Sequence, residues 1–182
     1  MSTRSLALRA FAVALVLGCG DAAGPETRDQ AALAPSGDID YATASPTIRQ
    51  KLDNLRKRLA PFHRFQAAVD AGWSTQLTGC LADPQLGGMG FHYAKAEILD
   101  GVARLKEPEA LLYEPQADGK LRLVAVEYII PFGAWTRSHP PQLLGQNFKR
   151  NEVFGVWALH IWLFRSNPSG RFADWNPHVH CP

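Results

Sequence analysis

The stretch EALLYEPQADGKLRLVAVEYII, residues 109–130, decides the fold class of this chain. Two apolar runs, Glu109 to Glu114 and Lys120 to Ile130, flank Pro115-Gln116-Ala117-Asp118-Gly119. Asp-Gly between apolar runs signals a hairpin, because both residues tolerate the positive backbone φ of a tight turn. The runs therefore read as two antiparallel strands. Pro131 has no amide hydrogen to give a ladder and ends the second. Side chains alternate along a strand, which puts Leu123, Ala125, Glu127 and Ile129 on one face. Glu127 is the lone charge among apolar neighbours there. An unpaired buried carboxylate is costly, so Glu127 needs a partner.

Working outward, Val153 to Phe164 reads as a third strand. Val156, Ala158, His160, Trp162 and Phe164 share one face; Trp157, Leu159, Ile161 and Leu163 share the other. Both faces are apolar, so the strand is expected to be covered on both sides with His160 buried. If this strand neighbours the previous one, Glu127 and His160 meet on one face. Upstream, Ser45-Pro46 is a helix start, with Ser as cap and Pro at the first helical position. Ile48, Leu52, Leu55, Leu59, Phe62, Phe65 and Val69 then recur at spacings of three and four, one apolar helical stripe. Pro61 should break or kink it, and Gly72 ends it. Ser74 to Gly90, Phe132 to Glu152 and Ser166 to Pro182 read as loops, with Gly87-Gly88-Met89-Gly90 as a tight turn before Phe91-His92-Tyr93. A brief helix or turn is expected within Ala94 to Leu105. Helices come first and strands later, which predicts an α+β fold. Its parts would be a kinked amphipathic N-terminal helix on a small antiparallel sheet, long loops and one disulfide.

The chain begins with Arg4 and Arg9, no acid, and an apolar run from Ala10 to Leu17. That run is far shorter than the roughly twenty residues that span a bilayer, and it fits the core of a signal peptide. It ends in Val16-Leu17-Gly18-Cys19, a small-residue cleavage pattern with cysteine immediately after the cut. This resembles the bacterial lipoprotein signal, and lipid on Cys19 would anchor the chain to a membrane. Ordinary secretion with a later cut is the alternative. Residues 1–18 are thus read as leader. Residues 19–45, rich in small and polar types, are read as a flexible tether, and 46–182 as a single globular domain. The expected location is the cell envelope, outside the cytoplasm. A formal net charge of +2 makes no electrostatic case for nucleic acid. The basic residues off the helical stripe, such as Arg49, Arg56, Lys57 and Arg58, suit either a solvated face or anionic headgroups.

With Cys19 acylated, Cys80 and Cys181 remain, and in an oxidising space they read as one disulfide. Two thiolate metal ligands are the rival reading. The bridge would hold the C-terminal tail on the sheet and bring His178 and His180 near the Gly87–Gly90 turn and His92. His92, Glu127, His160 and His178 are therefore the candidate metal or ligand residues. Two histidines and a carboxylate can hold a transition metal such as zinc, copper or iron with a position left open. They can equally serve as a general acid–base pair, or simply hydrogen-bond within a core. The spacing matches no established metal motif, and there is no nucleophile elbow or phosphate-cradling loop.

Five motifs carry a further resemblance: GMGFHY (88–93), ALLYEP (110–115), LVAVEY (123–128), ALHIW (158–162) and NPSGRFADWNP (167–177). Together they resemble a family of exported bacterial proteins, some lipoproteins, of unknown function. The resemblance covers about Phe62 to Pro182 and implies no activity. The family's pattern has serine where this chain has His180, so it implies no ligand role there. The function expected is a membrane-anchored lipoprotein that binds a metal or small ligand. An extracytoplasmic hydrolase or lyase using a Glu/His pair, and a structural or interaction lipoprotein, stand as alternatives.

Overall fold

The computed structural model describes residues 44–182. The leader, Cys19 and nearly all of the tether lie outside the described residues. In chain order come α1 (Pro46–Leu59), a 3-10 turn (Ala60–His63), α2 (Phe65–Asp70), β1 (Thr75–Gln76), β2 (Leu81–Asp83) and β3 (Gly87–Ala94). They are followed by β4 (Ala110–Pro115), β5 (Leu121–Pro131), β6 (Gln142–Leu143), β7 (Gln146–Asn147), β8 (Lys149–Asn151) and β9 (Val156–Ile161). The main sheet runs β1-β3-β4-β5-β9-β8, every pairing antiparallel, with β2 paired to the start of β3. The class is α+β with helix on an antiparallel sheet and one disulfide, as the sequence predicts.

Local chemistry accounts for the ends of these elements. Ser45 Oγ accepts the Ile48 amide at 3.3 Å and Pro46 opens α1. Leu52, Leu55 and Leu59 are buried and pack with Leu111, Tyr113, Val126 and Tyr128 of the sheet. Burying each leucine contributes at most about 1.5–3 kcal/mol. Pro61 lies in the 3-10 turn between the helices, and the Tyr113 hydroxyl donates to the Phe62 carbonyl at 2.7 Å, tying that turn to β4. The β4–β5 hairpin closes through Asp118-Gly119, with Gly119 at φ +77°.

Several local expectations change. The Gly87–Gly90 run is not a turn: it is the first half of β3, and β2 forms a ladder with it. These glycines serve close approach: the C-terminal tail lies directly on Gly87 and Gly88, and the β4 backbone at Tyr113 lies against Gly90. A Cβ on Gly87, itself at φ +93°, would stand 2.2 Å from the Asn176 carbonyl oxygen; one on Gly88 would stand 2.7 Å from that of Val179. The region Phe132 to Glu152 carries three short strands, β6 to β8. The last strand is shorter than read, since Val153 and Phe154 lie in an exposed turn that Gly155 completes at φ +66°. Leu123 does not share the face of Glu127. A register shift between Leu112 and Tyr113 leaves Val124 as an extra residue, so Leu123 packs with the helices while Ala125, Glu127 and Ile129 keep the other face.

The two sheet faces differ. The helices cover one with large apolar side chains. On the other, Ala94, Ala110, Ala125 and Ala158 are small, and Leu112, Ile129, Trp162 and Val179 pack around them. The tail covers only part of this second face. It is held by the Cys80–Cys181 disulfide, Cα–Cα 5.7 Å, and by paired backbone bonds of 3.1 Å between Gly88 and Asn176.

Candidate metal centre

Three strands, β3, β5 and β9, bring the candidate residues together. Glu127 and His160 sit directly opposite each other in the β5–β9 ladder. His92 comes from β3, two strands from Glu127, and faces Leu112 on the intervening β4. The residue opposite Glu127 on β4 is Ala110. Its small side chain leaves the space across which His92 and Glu127 reach each other.

His92 Nε2 lies 3.6 Å from Glu127 Oε2, and His160 Nε2 lies 3.5 Å from Glu127 Oε1. One ligand atom from each of the three residues falls within 4.8 Å of the others. The imidazole rings meet edge to face, centroids 5.9 Å apart. All three residues are buried. The two contacts to Glu127 are too long for hydrogen bonds. Each is close to the separation of two neighbouring ligands on a tetrahedral ion, roughly 3.3–3.6 Å at metal–ligand distances of about 2.0–2.2 Å, with each nitrogen facing a different oxygen of Glu127.

The remaining ring nitrogens are oriented from behind. His92 Nδ1 is 2.9 Å from Thr78 Oγ1, and His160 Nδ1 is 3.4 Å from Asp174 Oδ1. Asp174 is in turn paired with Lys149 Nζ at 3.2 Å. Metal-binding histidines are commonly held this way, one nitrogen to the ion and the other to a carboxylate or hydroxyl. By strict geometry both His160 ring nitrogens, fully buried, lack a hydrogen-bond partner among the described residues. A buried polar atom without a partner costs about 1–3 kcal/mol, which an ion at Nε2 and a shortened Asp174 contact would remove.

Electrostatics separates the two histidines. Burial, helped by the neighbouring His160, lowers the His92 imidazole to about 3, so it is neutral at physiological pH, the form that binds metal. Burial alone would also lower His160, but Glu127 and then Asp174 outweigh it and hold it above its ordinary value. Burial pushes the Glu127 carboxyl up, opposed by His160. For Asp174, burial is outweighed by His160 and Lys149, which keep its carboxyl below the ordinary range.

A pocket of about 490 Å³ opens over the cluster. His92, Glu127 and His160 line it together with apolar side chains that include Leu81, Met89, Ile129 and Trp175. Of the exposed large apolar residues, Leu77, Val153 and Phe154 belong to this pocket.

His178 is not brought to the site. The tail does lie against Gly87 and Gly88, but Val179 takes the inward position, and His178 and His180 on either side of it are exposed. Alternation along an extended tail allows only one of these sets to face in. Thr78 and Asp174 were not singled out in the sequence. Their signal was proximity to the cysteines: Thr78 is two residues from Cys80, and Asp174 belongs to the tail that Cys181 ties down. No protein-family model matches the chain, and comparison with the curated proteins and with the solved structures returns no match.

Proposed function

We propose that this chain is an exported lipoprotein, anchored in the cell envelope through Cys19, whose folded part binds one transition-metal ion through His92, Glu127 and His160. The observation that carries the reading is the convergence of both Nε2 atoms on the two Glu127 oxygens at 3.5 and 3.6 Å. Zinc, iron and copper all accept two imidazoles and a carboxylate with a further position free. The lipid anchor rests on the leader and the Val16–Cys19 pattern; no helix of the described residues is long and apolar enough to cross a membrane. A second reading, a metal-dependent hydrolase or lyase, is favoured by the pocket that reaches the ligand atoms, since a metal-bound water there would face a substrate.

Elemental analysis of the purified protein, prepared without a histidine tag, tests the metal reading. About one equivalent of metal, lost in the Glu127→Ala and His160→Ala variants, is the expected result. Protein that contains none and takes up none of zinc, iron or copper would refute it. Mass spectrometry of the N-terminal peptide tests the anchor: a diacylglyceryl adduct on Cys19 is expected, and a free or removed cysteine overturns it.

A further inference from the structure

The pocket over the cluster has an unusual balance of charge and surface. Among the described residues that line it, Glu127 is the sole carboxylate and there is no lysine or arginine. The walls are Leu77, Leu81, Met89, Leu99, Ile129 and Phe154, with Thr78 and Asn151 the polar residues beside the ligand set. A volume of about 490 Å³ is within the range that encloses small organic ligands. Without a metal, the site offers an anion no fixed cation such as lysine or arginine. With a divalent ion the sum changes: two neutral imidazoles and one carboxylate leave one positive charge at the floor of an apolar chamber. The nearby Asp174 does not cancel it, because Lys149 pairs with that carboxylate. An uncompensated charge at the floor of an apolar-walled pocket attracts a single negative donor, and the walls attract an apolar body.

We infer that the pocket takes an apolar monoanion, its single oxygen-donor head on the metal and its hydrocarbon body against Leu81, Met89, Ile129 and Phe154. The inference rests on the metal reading above and names the class of ligand for that site. A polar or multiply charged ligand fits poorly, since a second charge would find no partner in these walls. Leu77 and Phe154, at 40% and 54% exposed, form a rim that bound hydrocarbon would shield from water.

Octanoate and acetate are the probes, because they share a carboxylate head and differ only in hydrocarbon. The chain beyond its leader, residues 19–182 with Cys19→Ser and no histidine tag, is titrated calorimetrically with each, zinc-loaded and zinc-free. Octanoate should bind the zinc-loaded protein at least about a hundredfold more tightly than acetate, and the zinc-free protein should lose most of that affinity. Phe154→Ser, at the exposed rim, should weaken octanoate several-fold and acetate much less. Zinc-loaded protein that binds both acids equally overturns the ligand class while leaving the metal site standing. Octanoate binding that is the same with and without zinc overturns the placement of the head on the metal. Protein that takes up no zinc, iron or copper overturns the metal reading itself and this inference with it.

Discussion

Replacing Glu109 by glutamine should remove a specific pH dependence from the stability of this protein. Glu109 is fully buried immediately before β4. Its Oε2 accepts the Ile129 amide at 3.1 Å, while Oε1 has no partner among the described residues. Burial raises its carboxyl from an ordinary 4.5 to about 8, against the pull of the Ile129 amide. The folded protein therefore keeps a proton that the unfolded chain releases. The stabilisation this provides is complete below pH 4.5 and is lost progressively as pH rises through about 8. At about 1.4 kcal/mol per pH unit, the gap corresponds to a loss on the order of 3–5 kcal/mol. Glutamine keeps an oxygen for the Ile129 amide and has nothing to titrate; its extra amide hydrogen adds a constant cost that pH does not change. The assay is urea denaturation followed by tryptophan fluorescence, disulfide intact, in steps from pH 5 to pH 9. Because Glu127, His92 and His160 titrate in both proteins, the informative quantity is the difference between wild type and Glu109→Gln. That difference should move in favour of the variant by a few kcal/mol as pH rises. A difference that stays level across the range would refute the buried, protonated Glu109.

Three further outcomes follow from the same geometry. Asp174→Asn should lower metal affinity by about ten- to a hundredfold with the fold retained, because asparagine lacks the charge that orients His160; competition against a chromogenic chelator measures it, and unchanged affinity would count against Asp174 as an orienting group. Cys80→Ser should cost up to about 4–5 kcal/mol in the chain-entropy view, because the bridge spans a sequence separation of 101, with the C-terminal tail the first segment open to protease. Gly87→Ala should cost at least about 2 kcal/mol, since a Cβ would meet the Asn176 carbonyl oxygen at 2.2 Å on a backbone with φ +93°. Denaturation midpoints check both, and a Gly87→Ala protein as stable as wild type would mean the tail does not lie on β3.

Sequence by itself determined the parts that depend on near neighbours. The helical stripe of α1 follows from a period of three to four residues, and the β4–β5 hairpin from Asp118-Gly119 between apolar runs. The pairing of Cys80 with Cys181 is legible once Cys19 is assigned to the leader cleavage pattern, and the need of Glu127 for a partner follows from one charge on an apolar strand. Alternation also placed His160 on the correct face. Tertiary structure decided what depends on strand order and on contacts far apart in the chain. Gly87 and Gly88 read as part of a turn because their role lies in Asn176 and Val179, about ninety residues away, which no local pattern reveals. The bulge at Val124 that turns Leu123 to the helices arises from pairing with β4, not from composition. His178 lost its place to Val179 because a tail pressed on glycine presents its apolar side chain to the core. Thr78 and Asp174 meet His92 and His160 from segments that lie outside the main strands. The pocket is likewise collective, lined by residues of β3, β5 and β9, by the turn after β8 and by Trp175 of the tail.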